Sequence, residues 1–194
     1  MINNPRQLQS RDNSQGLSNL QPCRSNTHRH DFRERLDWSE SQKDEPFWDA
    51  VYQKAFPNIV NHMPAPGDVA SQRMGIDRVV FLANGRSVLI DEKKRGKEYD
   101  DILLEYISAD TTGAPGWIEK DMAIDFLAYA FIPSRRCYLY SWPLLRQSWE
   151  ANKERWLTLY RPVIARNRDY STYSLPIPIL VLQRAIARSQ VIDV

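Results

Sequence analysis

The sequence predicts one mixed α/β domain, in which a central sheet built on an antiparallel hairpin is flanked by helices. Two short apolar, β-branched runs, 78–82 and 87–90, flank Asn84-Gly85, which is the strongest short-range signal for a hairpin. Segments with a 3.6-residue apolar period lie before and after that hairpin. A length of 194 residues suits one such domain with an additional arm.

The N-terminal segment, residues 1–34, has the composition of a polar flexible arm. Its first 30 residues hold four Arg, one Asp and no aromatic residue, and Asn, Gln and Ser are frequent. Such a segment cannot bury enough apolar surface to offset the entropy that folding costs. We therefore predict a single folded domain over residues 35–194.

The first predicted element of this domain is a helix within residues 39–59. Pro46 suits its first turn, and Pro57 ends it. Its periodic apolar positions are Phe47, Trp48, Val51, Tyr52, Ala55 and Phe56. A loop over 62–68 then leads to the hairpin.

Three further elements are predicted after the hairpin. Residues 101–108 form a third strand, residues 117–132 a second helix, and residues 135–142 a fourth strand. One face of the predicted second helix carries Ile118, Met122, Phe126 and Tyr129.

The C-terminal part is predicted to hold a third helix and a late strand. Ser141 is a suitable N-cap for the helix, with Pro143 in its first turn. Three tryptophans seven residues apart form a stripe that we interpret as core-facing rather than as a stacking platform for bases: Trp142, Trp149 and Trp156. Residues 175–186 are predicted to be an edge strand, marked by Pro176 and Pro178.

Charge is unevenly distributed although the net charge is only +2. Residues 31–132 hold 12 bases and 19 acids, whereas residues 133–194 hold 10 bases and four acids. An acidic middle suits a metal site, and basic ends suit a phosphate backbone. An ordinary mixed surface explains the same distribution equally well.

Cellular setting is indicated only weakly. Cys23 and Cys137 lie far apart and have no metal-ligand spacing, which favours a reduced, intracellular environment. No apolar run approaches the ~20 residues that span a membrane. The polar start does not resemble a secretory signal, so we predict no membrane association.

The hairpin carries the residues with the clearest chemistry. Side chains alternate along a strand, so Asp91 and Lys93 share one face and Glu92 takes the other. The tight turn brings Asp77, at the start of the partner strand, to the same end of the hairpin. Two carboxylates and the backbone carbonyl of Glu92 are oxygen ligands suited to Mg²⁺. A nearby ammonium can orient a water or offset charge on a phosphate.

Asp77, an apolar hairpin and Asp91-x-Lys93 together resemble the PD-(D/E)xK nuclease superfamily in its phage and bacterial form. The resemblance implies a restriction-endonuclease-like core: a helix, a three-stranded antiparallel unit, a second helix and a further strand, over roughly residues 38–142. It places the first acid on Asp77, the second on Asp91 and the catalytic lysine on Lys93. Many members add a metal-binding Glu from the first helix, for which Glu45 or Asp49 qualifies.

Two features depart from the family pattern. Ile76, rather than Pro, precedes Asp77, and Glu92 stands where an apolar residue is usual. The second departure leaves Glu92-x-Lys94 open as an alternative frame. We prefer Asp91-x-Lys93 because Leu89 shares its face.

The resemblance implies a metal-dependent phosphodiesterase, an endo- or exodeoxyribonuclease encoded by a phage or mobile element. Its cofactor would be Mg²⁺, with Mn²⁺ as a substitute, and its partner would be DNA. It would act in the cytoplasm, that of the host if phage-encoded, and a homodimer is an open alternative because resolvases of this superfamily are dimers. Four basic residues near the acids are expected to contact phosphates: Arg73, Lys94, Arg95 and Lys97.

Other functions stay open at this stage. A nuclease fold without activity could bind nucleic acid or serve as a protein-interaction or assembly factor. The substrate could also be RNA or a branched junction. Residues 91–95 could also have no catalytic role and form a solvated strand end, whose surface salt bridges contribute little to stability.

Overall fold

The computed structural model describes residues 45–65 and 67–189, and everything below concerns those residues. The predicted arm and its boundary with the folded domain lie outside this part of the chain. The helices are α1 (45–55), α2 (Val69–Arg73), α3 (Trp142–Leu159) and α4 (Ile179–Ser189), and Trp117–Glu119 forms one 3-10 turn. The strands are β1 (Ile59–Pro64), β2 (Arg78–Leu82), β3 (Ser87–Arg95), β4 (Asp101–Ala109), β5 (Ala114–Pro115), β6 (Phe126–Phe131), β7 (Arg136–Ser141), β8 (Val163–Arg166) and β9 (Ser171–Pro178).

The strands form two sheets, so the predicted mixed α/β class is confirmed. The five-stranded sheet has the order β1-β2-β3-β6-β7, in which β3 and β6 are parallel and the other neighbours antiparallel. The four-stranded sheet is antiparallel with the order β5-β4-β9-β8. The predicted hairpin is confirmed as β2 and β3, with Gly85 at φ 80° in the turn.

Apolar side chains cover both faces of the five-stranded sheet. On one face, Phe47, Trp48 and Tyr52 of α1 pack on a cluster that includes Val80 and Ile90. The first predicted helix is therefore confirmed over 45–55, with these three side chains on its buried face; Ala55 is exposed, and residues 39–44 lie outside the described part of the chain. The larger cluster on the other face includes residues from the 3-10 turn, α3, α4, β4 and β9.

The predicted second helix over 117–132 is wrong. After the single 3-10 turn, the chain is irregular to Asp125 and then forms β6. Five of the six residues of β6 are buried, because α1 covers one of its faces and the larger cluster the other. A strand buried on both faces is continuously apolar, and such a run cannot be separated from a helix by periodicity alone.

The third predicted strand exists as β4, but it does not extend the hairpin. It pairs with β9 in the other sheet, and the strand that completes the antiparallel unit is β1. We predicted residues 62–68 as a loop and missed β1, since only Ile59 and His62 are even partly buried. An edge strand of this kind has almost no apolar alternation to detect.

The C-terminal predictions are partly confirmed. The fourth strand (β7) and the third helix (α3) form as expected, although Ser141 makes no side-chain capping bond. The tryptophan stripe faces the core, with Trp142 6%, Trp149 0% and Trp156 2% exposed. The late strand is wrong beyond Pro178, where α4 begins. Pro176 and Pro178 lie beyond the residues that pair with β8, so that side of β9 is locally an edge.

Candidate metal centre

The structure brings Asp77, Asp91 and Lys93 together at one end of the hairpin. Asp77 immediately precedes β2, and its backbone N–H donates to Ile90 O at 2.9 Å. Its carboxylate Oδ2 accepts the backbone N–H of Glu92 at 2.8 Å, in place of the next ladder bond. Lys93 Nζ lies 2.5 Å from Asp91 Oδ1. The three side chains singled out from the sequence are thus neighbours.

Asp91 is the buried member of this group. It is 2% exposed, whereas Asp77 is exposed and the Lys93 side chain is 32% exposed. Its Oδ2 is buried and has no hydrogen-bond partner among the described residues. A buried polar atom without a partner costs free energy unless a water or an ion satisfies it.

The surroundings of Asp91 perturb its ionisation. Burial raises its pKa to about 7; the Lys93 ammonium works against this rise, and the Asp77 carboxylate adds to it. Two carboxylates this close repel each other when both are charged. A divalent cation between them would remove that repulsion.

The donor set fits Mg²⁺. Asp77 and Asp91 supply two carboxylates, one of them with an unsatisfied oxygen. The N–H and C=O of one strand residue point to the same side, so the Glu92 carbonyl is directed toward the side on which its N–H meets Asp77. These are hard oxygen ligands of the kind Mg²⁺ prefers.

The Glu92 side chain points to the opposite face of the sheet. It accepts hydrogen bonds from the Tyr52 hydroxyl at 2.7 Å and from Arg78 Nε at 2.8 Å. Burial raises the pKa of Glu92, while these two donors lower it. The Glu92 carboxylate therefore stabilises the contact with α1, and the frame with Asp91 and Lys93 is the one that meets Asp77.

Glu45 is not brought to Asp77 and Asp91. It forms a two-pronged ion pair with the Arg78 guanidinium, which also binds Glu92 on the α1 face. Arg78 lowers the pKa of Glu45. Glu45 was predicted as a metal ligand, but the structure places it on the α1 face of the sheet, where the buried Arg78 guanidinium binds both of its carboxylate oxygens.

Glu45, Asp49 and His62 do form a compact group, with ligand atoms within 4.8 Å of one another. His62 Nε2 lies 2.8 Å from Asp49 Oδ1, and its Nδ1 lies 3.4 Å from Arg78 Nη1. The Arg78 side chain, 4% exposed, already supplies a positive charge at this group. A guanidinium and a metal ion would repel each other there, so we interpret the group as an ion-pair network.

The four predicted phosphate contacts lie in different settings. Arg95 donates to Asp101 Oδ1 at 2.8 Å, and its guanidinium stacks 3.5 Å from the centre of the Tyr99 ring. Its charge is engaged in holding the turn between β3 and β4. Arg73, Lys94 and Lys97 have exposed side chains. Phosphate binding by these four residues stays a prediction.

Arg78 shapes the site but gave no signal in our sequence analysis, and Tyr52 was predicted only as an apolar position of the first helix. Both donate hydrogen bonds to the Glu92 carboxylate on the face of β3 opposite to Asp91. Asp125 Oδ2 accepts the Leu89 N–H at 2.8 Å. Gly75, at φ 70°, carries the chain into Asp77, and a Cβ there would lie 2.4 Å from Met122 Sδ. A glycine two residues before the first acid is the sequence feature that indicates this backbone turn.

Comparisons with protein-family models, curated proteins and solved structures found no match to this chain. Among the described residues, no helix is both long and apolar enough to cross a membrane.

Proposed function

We propose that this protein is a Mg²⁺-dependent nuclease that hydrolyses phosphodiester bonds of DNA. One observation carries the proposal: Asp91, a buried carboxylate with an unpartnered oxygen, lies beside both a second carboxylate and a lysine. A purely structural ion pair of Asp91 and Lys93 has no need of Asp77 or of an unsatisfied oxygen.

The strand order also supports the proposal. The PD-(D/E)xK resemblance implies a helix followed by a three-stranded antiparallel unit and a further strand, and α1, β1, β2, β3 and β6 follow this order. The crossover from β3 to parallel β6 contains β4, β5 and a 3-10 turn in place of the expected helix. The site residues do not depend on that crossover.

Each side chain has a defined task in this mechanism. Asp77 and Asp91 would hold the cation, and the Glu92 carbonyl would add a ligand. A bound Mg²⁺ would polarise the scissile phosphate and lower the pKa of a coordinated water. The Lys93 ammonium, partly exposed and 2.5 Å from Asp91 Oδ1, would orient the attacking water and offset charge on the phosphate oxygens. One P–O bond would form to the water oxygen while the bond to the leaving oxygen breaks. One water proton would end on the leaving oxygen, and the other would remain on the new phosphate monoester or pass to solvent.

The test is cleavage of linear duplex DNA, single-stranded DNA, a four-way junction and RNA, with Mg²⁺ and with EDTA. The site variants are Asp91→Asn and Lys93→Ala. The matched controls are Asp100→Asn and Lys54→Ala, which change exposed residues of the same types outside the site. We expect the wild type and both controls to cleave DNA in the presence of Mg²⁺. In both site variants the cleavage rate should fall by at least about 100-fold, the usual loss when a group that transfers protons or stabilises charge is removed.

Two results would contradict the proposal. Absence of cleavage for every substrate, with DNA binding intact, would favour an inactive nuclease fold that binds nucleic acid. Cleavage that persists in Asp91→Asn would place the chemistry elsewhere in the chain.

A further inference from the structure

A groove of about 410 Å³ lies between α1 and β7, the last strand of the five-stranded sheet. Its floor is apolar and includes Phe47 and Val51 of α1 and Cys137 and Leu139 of β7. Within the described part of the chain, no further strand pairs with the outer edge of β7. The groove therefore lies where a sixth strand would extend the sheet.

The backbone of β7 presents hydrogen-bonding groups along this edge. The Trp142 N–H donates to Asp125 O at 2.9 Å, and hydrogen-bonded pairs alternate along the antiparallel ladder of β6 and β7. The alternate residues 136, 138 and 140 therefore bond to β6, whereas the N–H and C=O groups of Cys137 and Leu139 point away from it. An edge with such unpaired groups is a template for another strand.

Basic side chains form the rim of the groove. Lys54, Arg135 and Arg136 are exposed there, and none of the described residues that line the groove is acidic. Arg136 lies 3.6 Å from Glu98, but both side chains are exposed, so the ion pair contributes little and leaves the charge accessible. The rim therefore favours an acidic ligand.

We propose that this groove binds an extended, acidic segment of a partner protein, which adds to the sheet as a sixth strand beside β7. In this mode of recognition, main-chain hydrogen bonds supply affinity, here through Cys137 and Leu139, and contacts to alternate side chains supply specificity. Alternate apolar side chains of the segment would pack on Phe47 and Val51, and its acids would meet the basic rim.

The inference is independent of the proposed nuclease activity. Cys137 and Leu139 pack on the same side of the sheet as α1. Asp91 and Lys93 lie on the opposite face of β3, since Ile90 between Leu89 and Asp91 belongs to the cluster under α1. A bound segment would thus leave the candidate metal centre open.

Two other occupants fit the groove less well. A DNA backbone presents acceptors alone, so it would leave the outward carbonyls of β7 without donors. Antiparallel pairing of β7 with the same strand of a second copy would place both α1 helices on one face of the joined sheet. The three rim bases of each copy would then gather on that face, and like charges on edge strands oppose such pairing.

The experiment measures binding of fluorescent peptides to the full chain by fluorescence polarisation, in EDTA. The acidic probes are six-residue peptides, the length of β7, in which glutamate alternates with valine, leucine or phenylalanine. The matched basic probes carry lysine in place of each glutamate. Two N-methylated forms of each acidic probe, one for each set of alternate residues, block the backbone donors of one edge at a time.

The protein variants separate the charge of the rim from the backbone of β7. Lys54→Glu with Arg136→Glu reverses two rim charges, and its matched control is Arg161→Glu with Arg166→Glu, at exposed arginines in and beside β8. Leu139→Pro removes one outward N–H, which an edge strand tolerates where that group faces solvent. Leu139→Ala keeps the N–H and shows how much of the loss is due to the side chain.

We expect at least one acidic probe to bind saturably, and about 10-fold more tightly than its basic counterpart. Reversal of the rim charges should weaken binding by about 10-fold, whereas the control should stay within about twofold of the wild type. Leu139→Pro should lose more affinity than Leu139→Ala. Only one of the two N-methylated forms should lose binding, because a strand pairs with β7 through one of its edges.

Four results would overturn the inference. These are no saturable binding of any acidic probe up to about 1 mM, equal losses in the rim variant and its control, displacement of the bound peptide by single-stranded DNA, and a wild-type dimer that Leu139→Pro converts to monomer. Cleavage of DNA plays no part in this measurement, so loss of the proposed function would leave the inference standing.

Discussion

Replacing Arg78 by Met tests the buried ion-pair network that supports the back of the site. Arg78 is 4% exposed and binds Glu92 through Nε and Glu45 through both terminal nitrogens. The Glu92 side chain is only 15% exposed, so loss of the guanidinium leaves it with the Tyr52 hydroxyl as its remaining donor. Breaking one side of a buried ion pair typically costs about 3–5 kcal/mol.

We expect Arg78→Met to lower the free energy of unfolding by about 3–5 kcal/mol at pH 7, the range for an orphaned buried charge. Urea denaturation followed by far-UV circular dichroism measures it. Arg86→Met, at an exposed arginine in the β2–β3 turn, is the control and should change stability by less than about 0.5 kcal/mol.

The pH dependence of this stability loss tests whether the unpaired Glu92 carboxylate causes it. Burial already raises the pKa of Glu92, and the hydrogen bond from Arg78 is the largest effect that lowers it. Without Arg78 the pKa should rise further, so the folded variant takes up a proton at a pH where the unfolded chain has none. The difference in unfolding free energy between the wild type and Arg78→Met should therefore become smaller as the pH falls toward the ordinary pKa of a Glu. A loss below about 1 kcal/mol, or a deficit that grows on acidification, would refute the reasoning.

Three other predictions follow from single residues. Gly75→Ala should cost about 1–3 kcal/mol in urea denaturation, since φ is 70° and the new Cβ would lie 2.4 Å from Met122 Sδ; an unchanged midpoint would contradict it. Without metal, stability should fall as pH rises from about 4 toward 7, because the folded pKa of Asp91 is about 7 and only the folded state keeps the proton there. Asp91→Asn should make that slope shallower without removing it, because burial also raises the pKa of Glu92; a slope equal to that of the wild type would argue against this assignment. Trp149→Ala, at a fully buried side chain, should cost about 3–5 kcal/mol, whereas Leu159→Ala, 59% exposed, should cost under about 0.5; similar losses would contradict the packing.

Local signals predicted which side chains meet at the end of the hairpin better than they predicted the elements around it. Asn84-Gly85 fixes the turn, and the turn fixes which residues face each other across β2 and β3. The convergence of Asp77 with Asp91 follows from that register and from strand alternation, both of which are visible in a short stretch of sequence.

What could not be predicted depends on contacts between distant segments. Phe126–Phe131 became a strand because both faces of the sheet are covered at that position, which no window of sequence reveals. Ile102 and Leu104 would suit either sheet, and only the pairing of β4 with β9 decides between them.

Glu45 illustrates the same limit at the site. Its place in the first helix suited a metal ligand, yet Arg78, 33 residues later, binds both of its oxygens. Which carboxylates remain available to a cation is therefore decided by the location of a buried arginine rather than by the spacing of the acids.

Titration with Mn²⁺, with the free ion read by electron paramagnetic resonance, tests the central claim that Asp77 and Asp91 hold a divalent cation. The proteins compared are the wild type, Asp91→Asn and the exposed-site control Asp100→Asn. The account predicts saturable binding in the wild type and control, displacement by Mg²⁺, and at least about 10-fold weaker binding in Asp91→Asn because one charged ligand is removed. Equal binding by all three proteins, or no binding by any, would contradict it.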